Sequence, residues 1–370
     1  MTHMKKLIAG AAVLLSLVAC HERKTVLRDT IPYVKQLAVD TAGTYPLLQS
    51  YRSAGTRGSI VLIGEPEATL SLASQFKSVD AVDNIDGKAV PDSLPDFSGE
   101  SFDVVMDLYN APYIRMASSS PDSLREVAVR NALMAVDSIA YSNALDAASR
   151  LPKSRAKVFV LASSLLTEFG SFDIDTLFRM VGREPVILTS VEAMLDEAVR
   201  SGCKRVAVWA PEQARPAYEA TARKTGLELT VVSTTGNGIL RPAFRDMLRI
   251  YRTGHPNDVL DAVLLDSFTA DLDELYAEQE HIHRQITEED MAFDRILAPH
   301  FRFIEPKASL TSACYRLLRE KNLFTHDIAY PSVRYYQTEE GWDGDFVLVE
   351  IGAGYLFPEK TPSSHVSDNH

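Results

Sequence analysis

Polar side chains follow most of the apolar, β-rich runs of this sequence, at the points where the strands of a parallel sheet would end. Ligands of open α/β sheets bind outside the carboxyl ends of the strands. Carboxylates, amides and hydroxyls there can hydrogen-bond to a polar ligand, and an aromatic residue can pack on an apolar ring face. The candidate ligand-binding residues are Glu65, Asp107, Asn110, Ser163, Ser164, Thr189, Ser190, Trp209, Glu212, Asp266 and Ser267.

Several of these residues have a structural explanation that competes with ligand binding. Ser163, Ser164, Ser190 and Ser267 precede predicted helices, where a hydroxyl commonly caps free backbone amides. For any single residue, the capping role is favoured over a functional one. The shared position of the whole set at one edge of a sheet is what indicates a ligand site.

The sequence lacks the common catalytic motifs. It contains no GxGxxG, Walker A, HExxH or GxSxG pattern, and the first predicted strand is followed by too few glycines for a dinucleotide loop. His281 and His283 are two residues apart, so they would not share one face of a helix. We therefore predict no catalytic residues, no metal site and no cofactor, and a protein that is not an enzyme.

The elements that would position these residues alternate along the chain from Ser59 onward. Most of the predicted strands are continuously apolar, which is typical of strands buried on both faces of a parallel sheet. Strands alternating with helix-like segments predict an α/β fold of two lobes, each a mostly parallel, doubly wound sheet. The predicted strands are 59–64, 78–83, 102–109, 156–162, 184–189, 204–210, 227–233, 261–267 and 301–305.

The first twenty residues have the layout of a secretory signal. Lys5 and Lys6 precede the apolar run Leu7–Ala19, which is shorter than the roughly 20 residues of a membrane span. The stretch Leu17-Val18-Ala19-Cys20 resembles the lipobox of bacterial lipoproteins. This resemblance implies that the signal peptide is removed, that Cys20 is lipidated, and that the protein lies in the cell envelope, anchored to a membrane on the periplasmic side or at the cell surface.

The charge of the chain limits its possible partners, and its cysteine content allows a disulfide. The chain has 38 basic and 50 acidic residues, a formal net charge of −12. An acidic balance argues against a nucleic-acid partner, which requires basic stripes. Cys203 and Cys314 could form a disulfide in an oxidising compartment, or each could be a small buried residue, and the sequence leaves both possibilities open.

The block Thr189–Ser233 carries a resemblance to a known family. It reads as a helix, Gly202, a basic residue, a buried strand, a loop, a helix, Gly226 and a further strand. It resembles the second half-domain of type I periplasmic binding proteins, in which a helix leads into G-x-K-R-V-A-V. The resemblance implies two lobes that close on a small polar ligand such as a sugar or nucleoside, for transport or sensing, with a membrane transporter or envelope protein as a further partner.

The length of the chain allows two lobes with additional segments. Two β-rich runs around the region Gly341–Gly344 predict a hairpin near the C-terminus. The predicted divisions are a signal peptide at 1–19, a lipid tether with an N-terminal helical segment at 20–58, a first α/β lobe at 59–189, a second α/β lobe at 190–324, a C-terminal β-rich segment at 325–360 and a disordered tail at 361–370.

Two alternatives stay open beside the binding protein. One is a non-catalytic envelope lipoprotein that binds or regulates a protein partner. The other is a two-lobed α/β enzyme similar to aspartate/glutamate racemases, which also place G-x-K-R-V-A-V before a strand. That resemblance implies two thiols facing each other across a cleft, whereas Cys203 precedes its strand and Cys314 lies in a helix-like segment.

Overall fold

The structure is a computed structural model that describes residues 28–51, 55–85, 87–233, 240–325, 327 and 329–356. The predicted signal peptide 1–19, the predicted lipidation site Cys20 and the predicted disordered tail 361–370 lie outside the described residues. The strands are β1 Ser59–Gly64, β2 Ser101–Met106, β3 Ile139–Tyr141, β4 Arg150–Pro152, β5 Ala156–Leu161, β6 Ile187–Thr189, β7 Arg205–Ala210, β8 Glu228–Ser233, β9 Leu260–Leu265, β10 Leu297–Ile304, β11 Ser332–Glu340 and β12 Phe346–Ile351.

Helices connect most of these strands. They are α1 Pro32–Val39, α2 Thr44–Gln49, α3 Pro66–Ser78, α4 Tyr113–Ser119, α5 Pro121–Val136, α6 Ser164–Phe169, α7 Ser171–Met180, α8 Ser190–Arg200, α9 Arg215–Thr225, α10 Leu240–Gly254, α11 Leu272–His283, α12 Glu288–Asp294, α13 Pro306–Glu320 and α14 Ala353–Leu356. Within the described residues, we find no helix that combines the length and the hydropathy of a transmembrane span.

The strands form two sheets. The larger has the order β4-β3-β12-β11-β2-β1-β5-β6, and its strands β11, β2, β1, β5 and β6 are parallel. The smaller has the order β10-β9-β7-β8 and is parallel throughout. The prediction of an α/β fold with two mostly parallel sheets is confirmed. The lobe boundaries at 59–189 and 190–324 stay predictions.

The central strands of the larger sheet are buried along their whole length. Every residue of β1 and β5 is buried, as their continuous apolar sequences predict. Leu62 packs in one hydrophobic cluster with Phe76 of α3, and Ile63 packs in another with Val127 of α5. Helices therefore cover both faces of this sheet.

One hydrophobic cluster reaches from the larger sheet into the smaller one. It includes Ile63 and Phe159 of the larger sheet, Val208 and Leu264 of the smaller, and Leu166 of α6. Apolar packing of this kind fixes the two sheets against each other. The carboxyl ends of their strands are thereby brought to a common region.

One local prediction differs from the structure, and another is confirmed. Residues 78–83 are not a strand, because α3 continues to Ser78 and the chain then enters a loop. In that loop the amides of Ala81 and Val82 donate to the Asp96 carboxylate instead of to a neighbouring strand. The predicted hairpin is confirmed, since β11 and β12 pair antiparallel and β11 inserts beside β2.

Candidate active site

The carboxyl ends of strands from both sheets surround one cavity of about 540 Å³. We call it the inter-sheet cleft. Residues directly after β1, β5, β7 and β9 line it, together with residues of the segment that follows β2. Its polar lining residues are Glu65, Glu67, Ser163, Ser164, Asp266, Ser267 and Thr269.

Asp266 is the carboxylate that the smaller sheet contributes to the cleft. It follows β9, remains partly exposed, and accepts a hydrogen bond from the Ser164 hydroxyl. Burial raises the pKa of Asp266 to about 6, and the nearby negative charge of Glu65 also raises it. Hydrogen bonding by Ser164 and the adjacent hydroxyl of Tyr218 opposes this rise. Asp266 therefore changes protonation state close to neutral pH.

Glu65 is the corresponding carboxylate of the larger sheet. It lies between β1 and α3, and its Oε1 accepts a hydrogen bond of 2.6 Å from the backbone amide of Tyr113. Burial raises the pKa of Glu65, and the charges of Asp107 and Glu67 act in the same direction. Two carboxyl groups with raised pKa values thus reach the same cleft from different sheets.

Asp107 is fully buried and is the centre of a hydrogen-bond network behind the cleft wall. Its carboxylate accepts hydrogen bonds from Tyr113 Oη at 3.0 Å, Asn131 Nδ2 at 2.9 Å, Thr338 Oγ1 at 2.8 Å and Asn110 Nδ2 at 2.8 Å. These donors satisfy the carboxylate without a ligand. Asp107 and Asn110 therefore position the wall, and Tyr113 links the network to Glu65.

The serines have different roles within the cleft. Ser163 caps α6 by accepting a hydrogen bond of 3.2 Å from the amide of Leu165, which is the structural role that its position before a helix predicts. Ser164 instead donates to Asp266. Ser267 accepts a hydrogen bond of 3.3 Å from the Thr269 amide. Ser164 is thus the serine that hydrogen-bonds to the Asp266 carboxylate in the cleft.

Besides Asp107 and Asn110, four of the predicted ligand-binding residues do not line the cleft. Thr189 caps α8 by accepting from the amide of Glu192 at 3.2 Å, and Ser190 is buried in the first turn of that helix. Trp209 packs against the apolar core of the smaller sheet. Glu212 is exposed, and hydrogen bonds from Arg215 and Ser233 lower its pKa to about 2. A ligand-binding role for the eleven predicted residues stays a prediction.

Sequence reasoning missed the residues that hold Asp107, Glu65 and Asp266. Tyr113, Asn131, Tyr218 and Thr338 carry no motif. Tyr113 is six residues from Asp107 but 48 from Glu65, and Asn131 is 24 residues from Asp107. Thr338 is 231 residues from Asp107 and reaches it only because β11 pairs with β2. No local pattern signals such a contact.

The two described cysteines lie away from the cleft. Both are free thiols, Cys203 before β7 and Cys314 buried in α13. Burial raises the pKa of each thiol, which lowers its reactivity. Among the described residues, no group of three or more His, Cys, Asp or Glu side chains is arranged to hold a metal ion.

We expect the thiols to be dispensable for chemistry in the cleft. Neither of the variants Cys203→Ala and Cys314→Ala should change the activity of the protein, since neither side chain lines the cavity. Iodoacetamide titration with mass-spectrometric mapping should show that Cys314 reacts only after unfolding, because it is fully buried. Loss of activity in Cys203→Ala without loss of stability would contradict this expectation.

Comparison with known proteins gives matches of structure alone. No family model matches the sequence, and no curated protein shows a significant match. Glutamate racemase from Francisella tularensis, solved with D-glutamate, is 14% identical with a TM-score of 0.48, covering 77% of this chain and 89% of the racemase. Aspartate racemase from Picrophilus torridus is 13% identical with a TM-score of 0.37, covering 72% and 94%. Arylmalonate decarboxylase is 15% identical with a TM-score of 0.36, covering 70% and 91%.

These matches correct the predicted family. The similar structures are racemases and a decarboxylase, so the resemblance to type I periplasmic binding proteins is wrong, and so are the functions drawn from it, a ligand receptor and a protein that is not an enzyme. The comparisons also give no support for identifying the chain as a lipoprotein. Lipidation at Cys20 and an envelope location are untested and stay predictions.

Proposed function

We propose that the protein is an enzyme that binds a small polar substrate in the inter-sheet cleft and transfers a proton with Asp266 and Glu65. The observation that carries this proposal is the placement of Asp266 in the cleft with a pKa raised to about 6. A carboxyl group poised near the operating pH is an efficient general acid or base.

The two carboxyl groups have different roles in proton transfer, and each comes from a different sheet. At neutral pH Asp266 is mostly ionised and can accept a proton from a substrate carbon next to a carbonyl group. Glu65, whose pKa burial also raises, can return a proton to the resulting carbanion when it is itself protonated. Ser164 orients Asp266 through its hydrogen bond. The product is the stereoisomer or positional isomer of the substrate. The two proton transfers that form it require no thiol.

The charge of the cleft limits the substrate class. Glu65, Glu67 and Asp266 line it, and no lysine or arginine does so among the described residues. An anionic substrate would meet like charges without a compensating cation. The substrate is therefore neutral or carries an ammonium group, and free dicarboxylates fit the cleft poorly.

Hydrogen exchange at carbon tests this proposal directly. The protein would be incubated in D₂O with amino amides, amino esters and neutral carbonyl compounds, and with free glutamate and aspartate for comparison. Proton NMR would follow the loss of each Cα–H signal. We expect exchange in at least one neutral or cationic compound and none in the dicarboxylates. Exchange in no compound, or only in the dicarboxylates, would contradict the proposal.

A further inference from the structure

A second cavity lies at the opposite edge of the larger sheet from the inter-sheet cleft. It has a volume of about 490 Å³ and is formed where α2 ends and where β1 and β5 begin. Four cationic side chains line it, those of Arg57, Arg155, Lys157 and Arg183, and no acidic side chain among the described residues does so. We call it the basic cavity. Its charge is opposite to the net charge of the chain, −12.

The backbone brings two of these arginines together. Gly58 precedes β1, and a Cβ atom at this position would lie 2.8 Å from the carbonyl oxygen of Arg155 and 2.8 Å from Lys157 Cβ. Such distances are too short for any side chain, so only glycine allows the two strands to begin this close together. The backbone of Arg155 consequently lies against Gly58, the residue after Arg57, and both arginines line the cavity.

The charge of Lys157 is neutralised, whereas those of the arginines are not. Lys157 Nζ lies 2.6 Å from Glu100 Oε2 beneath the cavity. Arg57 and Arg155 are exposed and make no ion pair with any described residue. Glu184, the acidic neighbour of Arg183 in sequence, pairs with Arg179 instead. Three arginines therefore line one cavity without an ion pair to any described carboxylate.

Arg183 is held in place and is incompletely partnered. Its Nη2 donates to the backbone oxygen of Gln49 at 2.8 Å and to Gln49 Oε1 at 2.9 Å. Its Nε is buried and has no hydrogen-bond partner among the described residues. Leaving a buried donor of a charged group unpaired is unfavourable. An acceptor supplied from outside the chain would remove this cost.

We propose that the basic cavity binds a phosphate group. The planar guanidinium groups of Arg57, Arg155 and Arg183 match the oxygen geometry of a phosphate monoester or diester, and the volume suits a small phosphorylated molecule. The same chemistry is offered by a free phosphate compound and by the headgroup of an anionic phospholipid. The site is independent of the proposed proton transfer, since it lies at the other edge of the sheet.

Binding of two probes to matched variants tests this proposal. The probes are inorganic phosphate, followed by calorimetry, and phosphatidylglycerol vesicles compared with phosphatidylcholine vesicles, followed by co-sedimentation. All proteins carry Cys20→Ser, so that lipidation at this residue cannot contribute to vesicle binding. The double variant R57Q/R155Q removes two charges from the cavity. The control R223Q/R252Q removes two exposed charges from α9 and α10.

We expect R57Q/R155Q to weaken binding by about tenfold or more, and the control to bind like the wild type. Loss of phosphate binding in R57Q/R155Q would identify a free phosphate compound as the ligand. Loss of binding to phosphatidylglycerol vesicles, with no phosphate binding in the wild type, would identify a lipid headgroup. Failure of the wild type to bind either probe, or equal weakening in both double variants, would overturn the proposal.

Discussion

The variant Asp266→Asn should lower the rate of substrate proton exchange by about 10²–10⁴-fold, the usual contribution of a general acid or base. Asparagine fills a similar volume and can still accept the hydrogen bond from Ser164, but it cannot take up a proton. The measurement is the loss of the Cα–H signal in D₂O. The control is Asp273→Asn, which removes an exposed carboxylate from the first turn of α11. This variant should catalyse proton exchange in the substrate at the wild-type rate.

The pH dependence of the same variant separates catalysis from folding. In the wild type, kcat/KM should rise with pH through about 6, as Asp266 loses its proton. The folded-state pKa lies above the ordinary value of 3.8. The stability that protonated Asp266 contributes to the folded protein is therefore fully present below about pH 4 and is lost as the pH rises through about 6. Asp266→Asn should lack both effects.

The expected combination is an inactive protein that is more stable. At about pH 8 the variant should unfold with a free energy about 3 kcal/mol above that of the wild type, and this difference should vanish near about pH 4. Urea titrations at the two pH values measure it. An Asp266→Asn protein that keeps its activity and the rise of kcat/KM near pH 6 would exclude Asp266 as the acid–base group.

The second large effect concerns the buried ion pair beneath the basic cavity. Lys157 and Glu100 are 1% and 0% exposed, and Lys157 Nζ also donates to the carbonyl oxygens of Thr56 and Leu323. The variant Lys157→Met leaves the Glu100 carboxylate buried and without its cation. We expect this to lower the free energy of unfolding by about 3–5 kcal/mol, measured by urea denaturation.

Two further variants test the cause of that loss. The double variant Lys157→Met/Glu100→Gln should recover a large part of the stability, since no unpaired charge remains. Arg179→Met breaks the exposed pair with Asp175 and should cost less than about 1 kcal/mol. A Lys157→Met protein as stable as Arg179→Met would show that the buried pair contributes little.

The central elements of the fold could be predicted because their patterns are local. The run SIVLIG is continuously apolar and forms β1, buried at every residue. The run 78–83 also contains apolar residues, but Val79 and Val82 pack beside the strands while the neighbouring amides bind Asp96. Hydrophobicity alone does not distinguish a strand from a packed loop whose amides bind a side chain.

The cleft was predictable only in part. Glu65, Ser164 and Asp266 follow apolar strands, so a general rule for parallel sheets places them at a strand edge. Thr189 and Glu212 satisfy the same rule, yet neither lines the cleft. Thr189 caps α8, and Glu212 pairs with Arg215. Which strand ends meet depends on the packing of two sheets, and that packing is set by contacts between distant residues.

The chemistry of the cleft was harder to predict than its position. A search of the sequence for paired thiols finds none at the predicted strand ends, and Cys203 and Cys314 do not line the cleft. The structure places carboxyl groups in the cleft, and their raised pKa values arise from burial and from the charges of neighbouring carboxylates. Neither cause can be read from a single sequence, since both depend on the surroundings of the folded chain.

The pKa of Asp266 tests the central claim most directly and requires no known substrate. Protein labelled with ¹³C at its aspartate carboxyl groups would be titrated by NMR, and the resonance missing from Asp266→Asn would identify this residue. We expect a titration midpoint at about pH 6. A midpoint at or below the ordinary aspartate value of 3.8 would contradict the proposed acid–base role.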